Sequence, residues 1–271
     1  MTTPSNRSPG ATTPVVLISP AMAIGSRFYT PLVSAFTERG WLAQTLPRRG
    51  FEPDQPRASR TEDWSYGDEI DTIASAVRAA RRDHPARPVI ILGHSLGAQL
   101  AAGHELNFPG ADGLVTVGGC IPHFRHYPRF GLPVAAGAAL IPAITTTFGF
   151  VPEPAFGAPG ARTLMREWAK MVLTGRPPFP AEHTIDTAAL IISLEGDTLA
   201  PRRGVDSFAR ELFGADRATR WDYTRAEVPA GASNDHITWV RSPGPVVDRI
   251  VAWWSEQHHA HQPSSAIGHF G

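Results

Sequence analysis

Gly93-His94-Ser95-Leu96-Gly97 is the stretch of this chain best suited to chemistry. The apolar, β-branched run Val89-Ile90-Ile91-Leu92 leads straight into it, and small residues from Ala98 to Leu106 follow. That order reads as strand, sharp turn, helix. Glycines flank the serine because so tight an elbow leaves no room for side chains. The turn lifts the Ser95 hydroxyl out of a sheet and sets it near the start of a helix, where backbone N–H groups carry partial positive charge. Such a site suits a serine nucleophile that must pass through an oxyanion. The G-x-S-x-G pattern alone arises by chance in any chain rich in Gly and Ser. It gains meaning from a strand before it and a helix after it.

A nucleophilic serine in this setting is served by an acid and then a histidine, in that chain order. Downstream, Ala189–Leu194 reads as a buried strand that ends in Glu195-Gly196-Asp197, with Pro201 beyond. Asp197 lies just past the strand end, where an aspartate is also ordinary turn chemistry. Ser233-Asn234-Asp235-His236 follows a candidate strand over Thr224–Pro229 and precedes a candidate helix over Pro245–Gln257. His236 is therefore placed on a loop after a strand. Ser95, Asp197 and His236 all fall at carboxyl ends of strands, where open α/β sheets bind their ligands. Glu195 is the rival acid, but strand alternation puts it one step inside the sheet. Asp235 reads as a turn former beside His236. His94 is expected to pack beside the elbow.

With these residues the chain resembles the α/β-hydrolase superfamily over roughly Val15 to Trp254. The resemblance rests on Gly93-His94-Ser95-Leu96-Gly97, on Glu195-Gly196-Asp197-Thr198-Leu199-Ala200-Pro201 and on the Asp235-His236 loop. The stretch Asp63-Trp64-Ser65-Tyr66-Gly67-Asp68-Glu69-Ile70 is similar to a subgroup of bacterial hydrolases. The resemblance implies that Ser95 is the nucleophile, His236 the base and Asp197 its orienter. In this architecture the oxyanion is held by the Leu96 N–H and by an N–H from the loop after the first parallel strand. That loop is Ser19-Pro20-Ala21-Met22-Ala23-Ile24-Gly25, whose small residues allow close backbone approach. The Met22 N–H is the first candidate and Ala23 the second. The superfamily usually opens with a β-hairpin. Here residues 1–14 are rich in Thr, Ser, Pro and Asn, so a disordered tail is expected and the opening strands are not.

The elements that would position these residues alternate along the chain. Val15–Ser19 reads as a strand, Ser26–Arg39 as a helix and Leu42–Leu46 as the next strand. Gly50–Arg60, rich in Pro and Arg, reads as an exposed connection. Asp63–Arg82 reads as a long helix with Ile70, Ile73, Ala74 and Val77 at helical spacing. Val89–Leu92 and Gly113–Val117 are further strands. This rhythm predicts a mostly parallel sheet with helices on both faces. The core is expected over 15–120 and 186–257, with a terminal tail at 258–271.

Residues 121–185 break the rhythm. They are too many for a simple crossover and too apolar for a loop. They contain Phe124, Tyr127, Phe130, Phe148, Phe150, Phe156, Met165, Trp168 and Met171, and are expected to form a helical cap whose aromatics wall any pocket above Ser95. Phe130 to Pro152 carries no charge and could span a bilayer by length. Its prolines, glycines and threonines argue for lid helices instead, so membrane contact is not expected. His123, His126 and His183 also lie here, without the Cys or acidic partners a metal site needs. His258, His259 and His261 read as a solvated end, and His269 has nothing to anchor it as a base.

Composition fits one enzyme domain. A chain of 271 residues with 42% hydrophobic residues can bury a substantial core. A formal net charge of +0 argues against nucleic acid, which needs a basic face. Lys170 is the only lysine, so nearly all positive charge is Arg. The lone Cys120 excludes an internal disulfide framework and fits a reducing, cytoplasmic setting. No basic and then apolar signal segment is evident at the N-terminus. The expectation is a serine hydrolase acting on an ester or related acyl bond of an apolar small molecule, with no metal or organic cofactor. A non-catalytic ligand-binding module and an acyltransferase on the same fold remain the alternatives. The residues carry no signal for oligomeric state.

Overall fold

The computed structural model describes residues 13–153 and 158–259. Its centre is a six-stranded sheet in the order β2-β1-β3-β4-β7-β8, with every neighbouring pair parallel. The strands are β1 (Val15–Ser19), β2 (Leu42–Thr45), β3 (Val89–His94), β4 (Gly113–Val117), β7 (Ala189–Leu194) and β8 (Ala218–Tyr223). Parallel strands need crossovers, and helices supply them: α1 (Thr30–Glu38), α2 (Tyr66–Asp83), α3 (Leu96–Asn107) and α6 (Arg202–Leu212); α7 (Gly244–His259) follows the last strand.

Strand alternation sends side chains to two cores. Val16, Ile18, Ile90, Leu92, Val115 and Ile192 pack with Leu32 and Phe36 of α1 and with Val246, Ile250 and Trp253 of α7. Val15, Leu17, Val89, Ile91 and Ile191 face Ile70, Ile73 and Val77 of α2, Leu100 of α3 and Phe208 of α6. Burial on both faces explains why the central strands are continuous apolar runs. Register then sets the site. Ser19 pairs with Gly93, His94 with Val117, and Leu194 with Tyr223, so the loops that leave β1, β3, β4, β7 and β8 rise side by side.

Several boundaries differ from the sequence reading. The stretch Ser26–Arg39 divides into a 3-10 turn at Ser26–Tyr29 and α1 from Thr30, because Pro31 cannot continue the hydrogen-bond ladder. The candidate strand Thr224–Pro229 is not a strand. The edge strand lies earlier, at Ala218–Tyr223, and Thr224 with Glu227 caps a 3-10 turn at Arg225–Glu227. Mixed polar residues on a half-exposed edge hid β8. Helix α6 adds to the sequence reading, with Val205, Phe208, Ala209 and Leu212 buried at helical spacing. The connection 50–60 is not merely exposed: Gly50 and Ala58 are buried. Of the expected tail, Thr13 and Pro14 accept hydrogen bonds from Arg87 and from Leu42 N; the remainder, like 260–271 with His261 and His269, and Phe156, lies outside the described residues.

Between β4 and β7 the chain forms α4 (Leu132–Phe148), a short antiparallel pair of β5 (Phe150–Val151) and β6 (Gly160–Ala161), and α5 (Arg162–Thr174). Among the described residues no helix is long and apolar enough to cross a membrane. The segment is moored to the start of α2. Asp63 accepts from the Thr163 N–H and hydroxyl at 2.9 and 2.7 Å and pairs with Arg162 at 3.0 Å. Tyr66 N–H donates to Glu167 at 2.7 Å, and Leu164 N–H to the Trp64 carbonyl at 2.9 Å. Ser65 and Asp68 close a capping box on α2. The Asp63–Ile70 stretch singled out in the sequence is thus a mooring as well as a helix start.

One close approach joins the sheet to the site. A Cβ placed on Gly97 would lie 2.0 Å from the Ser19 carbonyl oxygen and 2.7 Å from that of Pro20. Gly97→Ala is therefore expected to lower stability by about 1–3 kcal/mol in denaturant unfolding, as overpacking does, and to displace the 19–25 loop. An unchanged unfolding midpoint would show that the loop yields freely.

Candidate active site

Ser95 is the turn between β3 and α3, and its backbone sits at φ 54 and ψ −116. A non-glycine residue held there costs on the order of 1–3 kcal/mol and persists only where its surroundings enforce it. The Ser95 N–H donates to the Val117 carbonyl at 3.0 Å, and Gly93 and Gly97 remove the side chains that would collide with the turn. The hydroxyl is consequently presented at the carboxyl edge of the sheet, at the first turn of α3.

The structure brings Ser95, Asp197 and His236 together. His236 Nε2 lies 2.8 Å from Ser95 Oγ, and His236 Nδ1 lies 2.6 Å from Asp197 Oδ2. A carboxylate only accepts, so Nδ1 carries the proton it donates, and Nε2 is left to accept from the serine hydroxyl. The Asp197 side chain is fully buried. Its other oxygen accepts from the Leu199 and Ala200 N–H groups at 2.8 and 2.7 Å, which sets the carboxylate plane. The acid loop also rests on the histidine loop: a Cβ on Gly196 would lie 2.7 Å from Asn234 Oδ1, while Asn234 Nδ2 donates to the Tyr223 carbonyl.

The rival acids are engaged elsewhere. Glu195 is exposed and accepts from the Arg225 N–H at 2.7 Å. Asp235 accepts from the Ile237 and Thr238 N–H groups and from the Ser233 and Thr238 hydroxyls. Partial burial pushes its carboxyl up, but these hydrogen bonds outweigh that and hold it well below the usual carboxylate range. It shapes the loop that carries His236.

Met22, Ala23 and Leu96 all border the cavity next to Ser95. Among the described residues no hydrogen bond engages their N–H groups. Neighbouring polar groups of that loop are tied down. Arg48 donates to the Pro20 carbonyl and pairs with the buried Glu69 at 2.9 Å. Glu52 accepts from the Ser26 N–H and hydroxyl and from the Arg48 N–H. Three contributors escaped the sequence reading. Arg48 and Tyr29 carry no local signal. Gly118, the residue after β4, could have been suspected from Gly118-Gly119. It sits at φ +59 beneath the acid–histidine pair, where a Cβ would lie 3.1 Å from Asp197 Oδ2 and 3.3 Å from the His236 ring.

A cavity of about 600 Å³ opens above Ser95. Its walls are mainly aliphatic: Pro133, Val134, Leu140, Ile141 and Ile144 of α4, Val151, Leu199 and Ile237. Of the aromatic residues expected to wall it, only Tyr127 and Trp168 do so among those described. Met165 and Met171 are buried in the core, and Phe148 is 48% exposed and away from the cavity. No Asp, Glu, Lys or Arg lines the cavity among the described residues. His126 Nδ1 faces the Ile121 carbonyl and His123 stacks edge-on with Phe124. Among the described residues no three His, Cys, Asp or Glu side chains are grouped to hold a metal.

Residues 10–143 match the profile of a family described as serine aminopeptidase, S33. A search of curated proteins finds no significant match. Solved structures of the same fold include the monoacylglycerol lipase of Paleococcus ferrophilus, at 17% identity and a TM-score of 0.59, with 91% of this chain and 96% of that chain covered. An esterase from Exiguobacterium antarcticum is similar at 15% identity and a TM-score of 0.54, covering 91% and 93%. A bromoperoxidase from Bacillus anthracis is similar at 14% identity and a TM-score of 0.60, covering 90% and 92%. At these identities the likeness is one of fold.

The two aspartates separate by experiment. Asp197→Asn is expected to be the more damaging to activity, because it favours the wrong imidazole tautomer. Asp235→Asn is expected to act on stability against acid. Its carboxyl is depressed in the fold, so its contribution is present above the unfolded carboxylate pKa of about 3.9 and fades as pH falls below that. Removing it should flatten the acid limb of a melting-temperature profile. Asp235→Asn proving the worse for turnover would reverse the assignment of the acid.

Proposed function

Because this chain belongs to the α/β-hydrolase superfamily, we propose that it is a serine hydrolase that cleaves a carboxylic ester or related acyl bond of an apolar small molecule through an acyl-enzyme. The observation that carries the reading is the unbroken hydrogen-bonded chain from Ser95 through His236 to Asp197, at the floor of an uncharged cavity. Ser95 Oγ attacks the acyl carbonyl while His236 Nε2 takes its proton. Asp197 holds the Nδ1–H tautomer and stabilises the imidazolium. The Leu96 and Met22 N–H groups receive the oxyanion, where one such donor is worth about 10²–10³-fold in rate. Collapse breaks the bond to the leaving group, which takes the proton from His236. Water, deprotonated by the same nitrogen, then attacks the acyl-serine; the acyl bond to Ser95 Oγ breaks, His236 returns the proton to that oxygen, and the acid is freed. No metal or organic cofactor enters these steps.

The cavity wall narrows the substrate. A free α-amino group would be an ammonium with no carboxylate among the described lining residues to meet it, so a peptide N-terminus fits the wall poorly. An apolar acyl or alcohol group fits it well. Leu140 and Leu199 border the cavity and are 58% and 56% exposed, which extends the apolar surface to its rim. In this reading residues 121–185 act as the cap, and 15–120 with 186–257 as the catalytic core. The lone buried Cys120 suits a reducing cytoplasm.

Ser95→Ala is expected to fold normally and to lose ester turnover by about 10³-fold or more, and His236→Ala to be about as damaging, since such residues act as a unit. A fluorophosphonate probe should label the wild type and not Ser95→Ala. Labelling of neither would favour a non-catalytic binding module. Retained turnover in Ser95→Ala would remove the nucleophile.

The cavity makes its own prediction. Ile144, which lines it, is the suitable probe. Ile144→Ser should reduce the ratio of long-chain to short-chain kcat/KM for p-nitrophenyl esters by about ten-fold, the worth of one lost apolar side-chain contact. An equal loss at every chain length would assign α4 a purely structural role.

A further inference from the structure

A buried polar chain behind the elbow is not used by the chemistry above. We propose that His94 and Tyr29 form a positioning strut that ties the oxyanion loop to the loop carrying His236. The proposal rests on the hydrolase reading of Ser95 and His236 and adds residues to it. His94 is the last residue of β3, and both it and Tyr29 are fully buried. His94 Nδ1 lies 2.7 Å from the Tyr29 hydroxyl, which in turn accepts from the Ala21 N–H at 2.8 Å. On its other side, His94 Nε2 lies 2.7 Å from the backbone carbonyl of His236.

The proton positions follow from what faces the ring. Its neighbours are the Tyr29 hydroxyl, the His236 carbonyl, the His236 ring at 5.3 Å and the Trp239 indole, also at 5.3 Å. None is a carboxylate. Burial, with the nearby His236 adding to it, pushes the His94 pKa down to about 3, so the ring is neutral and carries one N–H. The Trp239 indole nitrogen lies 3.3 Å from Nε2 and could only donate to it. That arrangement would put a proton on Nδ1, turn the Nε2 lone pair toward the His236 carbonyl at 2.7 Å, and leave the Tyr29 proton without an acceptor. The shorter contact therefore decides. Nε2–H donates to the His236 carbonyl, and Nδ1 accepts from Tyr29.

Every link then runs one way: Ala21 N–H to the Tyr29 oxygen, Tyr29 O–H to His94 Nδ1, His94 Nε2–H to the His236 carbonyl. One end fixes the peptide next to the Met22 N–H. The other fixes the backbone of the base. A transition state needs the oxyanion donor and the base at one separation, and a misplacement of about 1 Å can cost 10²-fold. The strut sets that separation through three hydrogen bonds in a dry interior, where such chains reinforce one another.

Tyr29→Phe removes one oxygen and breaks two links. It is expected to lower kcat about ten- to a hundred-fold while KM stays within about three-fold, with the assay run well below the melting temperature and competent sites counted by fluorophosphonate titration. His94→Gln should do the same, and carries the test if Tyr29→Phe folds poorly. The double variant should lose no more than the worse single variant, because one broken strut cannot be broken twice. Multiplying losses, or a loss carried by KM, would overturn the strut. Wild-type kcat in Tyr29→Phe alongside a dead Ser95→Ala would overturn it while leaving the hydrolase reading intact; turnover in Ser95→Ala would sink that reading first. On the wild-type protein, ¹⁵N NMR should place the His94 proton on Nε2 across the working pH range. A proton on Nδ1 would end the proposal.

Discussion

The conformation of Ser95 is the constraint on which the rest depends. A serine at φ 54 stays there only if the chain on both sides is held. The parallel register holds one side, since β3 pairs with β1 and β4 up to Gly93 and His94. Helix α3 holds the other, buried along nearly its whole length between the sheet, α2 and the inserted segment. The contact of Gly97 with the Ser19 and Pro20 carbonyls then brings the neighbouring loop against the helix start. A single steric fact, the lack of a Cβ at Gly97, thus lets the 19–25 loop lie against the start of α3, beside Ser95.

The polar groups nearby follow from a second constraint. Each buried donor or acceptor needs a partner in a low-dielectric interior. Asp197 satisfies one oxygen on its own loop and has one left for His236. Asp235 spends its oxygens within its own turn, so adjacency to His236 does not set it against the imidazole. Arg48 and Glu69 pair beneath the 19–25 loop, and Arg48 keeps the Pro20 carbonyl. Rigidity around Ser95 is distributed over these pairs.

The inserted segment obeys a different rule. Helix α4 buries Ala138, Ile141 and Thr145 and leaves Leu132, Leu140 and Phe148 exposed, so it is apolar on more faces than its packing requires. It is held at its carboxyl end by polar anchors, one of them from α5: Arg166 donates to Thr145 and Thr146, and Arg60 to the Thr147 carbonyl. Anchoring by hydrogen bonds leaves the aliphatic side chains free to wall a cavity. The described aromatic residues of the same segment are largely turned away from it, Tyr127 and Trp168 apart.

The sequence by itself determined the parallel core, because β-branched runs buried on both faces and helices with one apolar stripe permit few other arrangements. It also determined the elbow, since Gly-x-Ser-x-Gly between a strand and a helix has one steric solution. Asp197 and His236, which the fold brings to Ser95, were legible from chain order, and Asp197 also from its place after a strand; the strand read before His236 lies earlier, at Ala218–Tyr223. Helix α6 and strand β8 carry local patterns of their own, Val205, Phe208, Ala209 and Leu212 at helical spacing and Trp221 with Tyr223 on one strand face, the latter weakened by Arg220 before them and Asp222 between them. Only the tertiary structure decided that the cavity wall is aliphatic, that Asp63 and Glu167 moor the insert, and that Tyr29, Arg48 and Gly118 border the site. Those residues act through partners distant in sequence: Tyr29 meets His94, and Gly118 lies under Asp197 and His236. Contacts of that kind arise from the register of parallel strands, a property of the folded sheet that no local run of residues contains.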